Sequence, residues 1–184
     1  MTAATTLDTY NTAIGYNAGA AVTSGTANTL IGGLAGDALT SGSFNVALGK
    51  SALSTEDGHG RNIAIGYAAL ETQDAGADAY NVAVGFNAGN AITTGLQNVF
   101  IGGLTGDALT TGKHNVAVGF QSLSSANAGD FSVAIGHSAL REQSGASAGS
   151  NFYNVAVGYN AGLAMTTGVN NTLVGGLAGD AIVG

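Results

Sequence analysis

Three aspartates in matching settings are the chain's most regular source of carboxylate chemistry. Asp37, Asp107 and Asp180 each follow Gly in Leu-Ala-Gly-Asp-Ala or Leu-Thr-Gly-Asp-Ala. A calcium site needs six to eight oxygens, with several carboxylates converging on one point. These three are separated by 70 and 73 residues, and one chain does not gather them. A threefold axis could bring three copies of one Asp together, which is the only metal reading retained for them. Otherwise each caps a turn or a helical start. The Gly-Gly-x-Gly-x-Asp nonapeptide that binds calcium in repeat proteins does not occur.

The remaining candidates point away from catalysis. His59 lies in a Gly-flanked loop, His114 immediately precedes an Asn, and His137 follows the Gly that ends a strand-like run. No His-x-x-x-His spacing is present, so spacing argues against a metal held by one chain. Gly32-Gly33-Leu34-Ala35-Gly36 resembles a phosphate loop superficially, but no Lys-Ser/Thr follows, and the phrase recurs at Gly102 and Gly175. It reads as a structural corner. Neither a Ser-His-Asp set nor a carboxylate pair is suggested. The expectation is no enzyme, no cofactor and no metal centre.

What would position all of these is a repeat. Ten phrases, each an Asn (once Ser), an alternating apolar run and a Gly, begin at Asn11, Asn28, Asn45, Asn62, Asn81, Asn98, Asn115, Ser132, Asn154 and Asn171. They end at Gly15, Gly32, Gly49, Gly66, Gly85, Gly102, Gly119, Gly136, Gly158 and Gly175. Their spacings are 17, 17, 17, 19, 17, 17, 17, 22 and 17 residues. Seventeen residues suit one coil of a solenoid, in which no unit buries its apolar face alone. The phrases fall into four kinds that recur in order. This divides the chain into a lead-in at 1–10, super-repeats at 11–80 and 81–153, and a partial one at 154–184.

Period-two alternation within each phrase marks a half-buried strand. In Asn115 to Gly119, Val116 and Val118 share one face, while Asn115, Ala117 and Gly119 share the other. The Val/Ile/Leu pair is expected to face the core. The Gly is expected at a corner that needs positive φ or close backbone approach. The second half of each coil can be a short strand or one helical turn, and strand–corner–strand is favoured. Thr-Gly and Ser-Gly pairs close several coils as turns. Stacked Asn side chains are expected to hydrogen-bond along the axis. Tyr16, Tyr67, Phe86, Phe120 and Tyr159, after the Gly, form a sparse column suited to an interface between subunits or, less readily, to stacking on sugars. The two longer intervals, 71–80 and 141–153, map to loops on one side of the stack, the natural place for partner contact.

Composition fits this picture. Gly supplies 31 of 184 residues and Pro none, with 45% apolar residues but many of them Ala. That is thin for a globular core and adequate for a narrow repeated one. A net charge of -7 with only four basic residues (Lys50, Arg61, Lys113 and Arg141) leaves no phosphate-binding stripe, so nucleic acid is not an expected partner. There is no Cys, no apolar run of membrane-spanning length and no signal-peptide pattern at the start. The expectation is release by lysis or another route, or a piece of a longer chain.

The Asn-Val-Ala-Val-Gly and Ser132-Val-Ala-Ile-Gly phrases resemble repeats in the heads of trimeric autotransporter adhesins, which are left-handed parallel β-rolls. Asn-Thr-Ala-Ile-Gly-Tyr-Asn-Ala-Gly, with Thr-Thr-Gly and Asn-Asn-Thr-Leu-Val-Gly-Gly, is similar to repeats in bacteriophage tail fibres and other fibrous virion proteins. The resemblance spans Asn11 to Gly184 and implies a non-catalytic trimeric fibre. The fold expected is an all-β parallel solenoid of about ten coils. The role expected is a shaft or head segment of a virion fibre that presents loops to a host-surface glycan or protein, located on the virion or outside the cell. An uncapped last coil at Gly184 suggests a longer fibre or end-to-end filaments. A monomeric ice- or polysaccharide-binding solenoid ranks lower, because the Thr residues cluster at turns.

Overall fold

The computed structural model describes residues 9–144 and 149–184. It is a parallel β-solenoid of about nine turns. Ten three-residue strands form one parallel sheet in chain order: β1 (Thr12–Ile14), β2 (Thr29–Ile31), β3 (Val46–Leu48), β4 (Ile63–Ile65), β5 (Val82–Val84), β6 (Val99–Ile101), β7 (Val116–Val118), β8 (Val133–Ile135), β9 (Val155–Val157) and β10 (Thr172–Val174). Every pairing is in repeat register, as in Ala117 opposite Ala134. No helix occurs among the described residues.

The second half of each coil is neither the favoured strand nor a helical turn. It is a run of linked turns in which left-handed residues alternate with right-handed ones. Ser51 and Leu53 have φ of 58° and 52°, and Asn87 and Gly89 have 53° and 59°. Alternating handedness keeps the backbone tight, so no second ladder of extended residues forms. Neighbouring coils still bond across this wall. Leu34 N–H donates to the Tyr16 carbonyl at 2.8 Å, and Gly19 N–H to the Ala35 carbonyl at 3.0 Å.

The strand faces are the reverse of the expectation. The middle residue of each strand points inward: Leu30, Ala47, Ala64, Ala83, Phe100, Ala117, Ala134 and Ala156 are all buried. The Val/Ile/Leu pairs point out, and Ile63, Ile101 and Ile135 remain exposed. The reason lies in the Asn that opens each coil. Its amide is needed inside, and a period of two then fixes every other residue. Asn98 shows the pattern. Its Oδ1 accepts the Asn115 backbone N–H at 2.9 Å, and its Nδ2 donates to the Gly112 carbonyl at 2.9 Å. The same bonds recur from Asn11 through Asn154, except that the Asn62 Nδ2 is buried without a partner and that Ser132 leaves a gap bridged by Gln143. An unmade bond at such a buried site costs about 1–3 kcal/mol, and an inward amide closes two of them per coil while the Val/Ile/Leu pair is left on the outer face.

The interior is narrow, and its volume is supplied alternately from two walls. Counting the opening Asn as position 1, coils beginning at Asn28, Asn98 and Asn171 carry a large residue at position 3 (Leu30, Phe100, Leu173). These coils and the ones before them carry Gly at position 9. A Cβ on Gly19 or Gly36 would stand 2.7–2.8 Å from Leu30, and one on Gly89 or Gly106 2.6–2.8 Å from Phe100. The other four coils have Ala at position 3 and Leu53, Leu70, Leu123 or Leu140 at position 9, all fully buried. Those Leu residues sit at φ of 48–55°. The strain of about 1–2 kcal/mol is offset by burial of a Leu side chain, about 1.5–3 kcal/mol. This exchange between walls, two coils at a time, is the physical origin of the four-coil super-repeat.

Candidate functional site

Outside the sheet, the reversed strands leave a broad apolar face. Positions 2 and 4 of every coil form two columns of Val, Ile, Leu and Thr running from β1 to β10. A column of mostly aromatic or cationic residues brackets them at each end of the strand. One is the expected Tyr16, Tyr67, Phe86, Phe120 and Tyr159, all exposed. Lys50 and His137 join that column. Tyr67 stacks on Phe86 at 5.3 Å, His137 lies between Phe120 and Tyr159 at 5.5 and 5.4 Å, and Lys50 Nζ sits 5.7 Å from the Tyr67 ring. The other column precedes the opening Asn and runs through Tyr10, Phe44, Arg61, Tyr80, His114, Phe131 and Tyr153. His114, Phe131 and Tyr153 are stacked, and the Arg61 guanidinium lies between the Phe44 and Tyr80 rings. The signal for this second column was present in the sequence one residue before seven of the ten opening residues, the exceptions being Ala27, Gln97 and Asn170.

At about 4.8 Å per strand and 3.3 Å per residue, this strip is roughly 43 Å long and 20 Å wide, or on the order of 860 Å² in outline. Asp and Glu do not occur in any of its columns, although the chain carries eleven acidic residues. Those among the described residues lie on the turns and excursions.

The recurrent aspartates stay apart within the chain, four coils from one another. Oδ1 of Asp37 and Oδ1 of Asp107 are buried without a hydrogen-bond partner. Burial pushes the Asp107 carboxyl above the usual carboxylate range, against a smaller lowering by its own backbone N–H. A folded-state value above the unfolded one means that the folded chain binds the proton more tightly. Stability from this group is therefore greatest below the unfolded value and is lost as pH rises through the folded one. Asp107→Asn is expected to raise the thermal midpoint at neutral pH and leave it unchanged near pH 3, a difference that melting curves across pH will show.

The structure also gathers four residues that spacing alone did not connect. Glu56, Asp57, His59 and Asp74 bring one donor atom each within 4.8 Å of one another. Glu56 stands at position 12, where Val22, Leu39, Ile92, Leu109 and Met165 stand in other coils, and is fully buried. Its Oε1 accepts the His59 backbone N–H at 3.1 Å and lies 3.5 Å from His59 Nδ1, while its Oε2 and His59 Nδ1 have no hydrogen-bond partner. Burial raises the Glu56 pKa above the usual range. The His59 backbone bond and charge oppose this, and the nearby Asp74 and Asp57 add to it. Aligning the coils by column, rather than scanning for linear motifs, exposes the set: a Glu in an apolar column, and a His where most coils have Gly.

The excursion at 71–80 is tied down at its far end. Asp78 pairs with the Arg61 guanidinium and accepts the Gly60 backbone N–H at 3.0 Å. In the excursion at 141–153, residues 145–148 lie outside the described residues. Phe152 turns inward, and a Cβ on Gly129 would stand 2.4 Å from its ring. No known protein family, curated protein or solved structure matches the chain. No helix is long and apolar enough to cross a membrane among the described residues.

Proposed function

We propose that the chain is a structural, non-catalytic segment of a virion fibre, assembled as a homotrimer through the outer face of its sheet. The observation that carries this is the outward Val/Ile/Leu pair repeated through ten strands. On a single chain this face is uncovered, and in a trimer it would be shared between two neighbours. Charge supports the same reading. Chains of net charge -7 can meet on this face, whose own columns carry no carboxylate; the charged or titratable residues in them are Lys50, Arg61, which Asp78 pairs, His114 and His137. The threefold symmetry is supported by the resemblance of the repeat phrases to trimeric adhesin heads and phage fibres. The role on a virion or outside the cell has the same support, and the excursions at 71–80 and 141–153 would meet a host glycan or protein.

Light scattering on the eluting protein over a concentration series tests this. A constant mass near three times 17.8 kDa is expected. A concentration-independent monomer would overturn the trimer and favour a free-standing binding module. Mass that grows with concentration would favour the filament reading.

A further inference from the structure

We propose that Glu56, Asp57, His59 and Asp74 bind one first-row transition-metal dication, with Zn²⁺ the best match to the donors. The site bridges two coils. Glu56, Asp57 and His59 come from the coil that begins at Asn45, and Asp74 from the coil that begins at Asn62. Asp57 and Asp74 both occupy position 13, stacked about one strand spacing apart. In that column Thr23, Thr40, Thr93, Thr110 and Thr166 instead donate a hydroxyl to the carbonyl one coil on.

Three features support a ligand over a structural cluster. First, Glu56 is 0% exposed, and its Oε2 has no partner. A buried carboxylate oxygen is costly unless something compensates it. Second, the imidazole Nδ1 of His59 is also buried and unpartnered, and it lies beside the same carboxylate. Third, the scaffold does not require these residues. At the same columns of the second super-repeat stand Ala126, Asn127, Gly129 and Ser144.

The donor set selects the metal. An imidazole nitrogen with three carboxylates suits Zn²⁺ and its neighbours, whereas Ca²⁺ and Mg²⁺ take oxygen ligands. Four ligands about 2.0–2.2 Å from Zn²⁺ stand roughly 3.5 Å apart in a tetrahedron. The donors already lie within 4.8 Å, and Asp57 and Asp74 are exposed and free to rotate inwards. A bound dication would offset two of the three carboxylate charges. It would also fasten one coil to the next at the base of the 71–80 excursion, whose other end Arg61 and Asp78 already hold.

The test is titration of the untagged, metal-stripped full chain with ZnCl₂, MnCl₂ and CaCl₂ by calorimetry, with bound metal counted by elemental analysis after dialysis. One equivalent of Zn²⁺ per chain is expected, retained in excess CaCl₂, together with a higher thermal midpoint. Two variants return the site to the repeat's own residues and so preserve folding: His59→Gly and Glu56→Leu. Each is expected to weaken Zn²⁺ binding at least tenfold, since loss of even a hydrogen-bond partner of a metal ligand costs about 10–100-fold, with the circular dichroism of the metal-free chain unchanged. The proposal is overturned by any of three results: no saturable Zn²⁺ uptake, uptake that both variants retain, or a preference for Ca²⁺ that His59→Gly does not alter.

Discussion

Gly85→Ala is expected to break the solenoid in the middle, with loss of most of the cooperative thermal transition, while Gly175→Ala melts within a few degrees of the parent. Both glycines end a strand in the same conformation, with φ of 146° and 129°. Both substitutions therefore carry the strain of an L-residue in a region essentially reserved for Gly, about 1–3 kcal/mol. They differ in what lies next along the axis. A Cβ on Gly85 would stand 2.3 Å from the Gly102 carbonyl oxygen and 2.5 Å from its carbon, both backbone atoms of the next coil. A Cβ on Gly175 meets nothing closer than Ala178 Cβ at 4.0 Å. Relief at Gly85 requires the two coils to separate, which stretches the ladder and the Asn bonds between them. In a stack where each coil touches only its neighbours, such a defect divides the molecule into two short stacks. Circular dichroism melts of the two variants measure the coil-contact contribution by difference, because the backbone strain is common to both. Equal melting of the two would sink the argument that close coil approach, rather than φ alone, demands this Gly.

The repeat makes this column legible from the residues alone. The 17-residue spacing sets the coil, the phrase boundaries set the ten strands, and the recurring place of the Gly marks a corner. Local alternation leaves the direction of the strand open, because a period of two is satisfied equally by either face. Judged by hydrophobicity, Val116 and Val118 belong inside and Asn115 outside. The fold inverts this because Asn115 can satisfy a neighbouring backbone N–H and a corner carbonyl only from within, and because the interior beside Ala117 is filled by Leu123 and Leu140 from the opposite wall. The turns are equally hidden. Leu53, Leu70, Leu123 and Leu140 adopt left-handed φ that no propensity favours, and only the burial of their side chains explains it. The Glu56 cluster escapes a linear reading for a related reason. Its residues are 18 positions apart along the chain, from 56 to 74, and share no linear motif. They become neighbours only when two coils are superposed and a carboxylate falls in an apolar column.

The inverted strand makes two adjacent residues opposite in their consequences. Val118→Asp is expected to convert the proposed trimer to a 17.8 kDa monomer that keeps its circular dichroism, whereas Ala117→Asp prevents folding. Val118 is half-buried in one chain and points off the sheet, so a single copy can hydrate an Asp there. The penalty within the chain is the poor fit of Asp to a strand, up to about 1 kcal/mol. In the trimer, three such carboxylates would be taken out of water without cations to pair them. Removing an ion from water costs several kcal/mol even after relaxation, and three copies are enough to outweigh association. Ala117 is fully buried between Phe100 and Ala134 in the sheet. A carboxylate there has no water and no partner, and the narrow interior has no room for it. Light scattering and circular dichroism on both variants decide the matter jointly. Val118→Asp retaining the trimer mass would remove this face from the interface. If instead Val118→Asp unfolded while Ala117→Asp folded, the strands would face the other way, and the assembly argument would go with them.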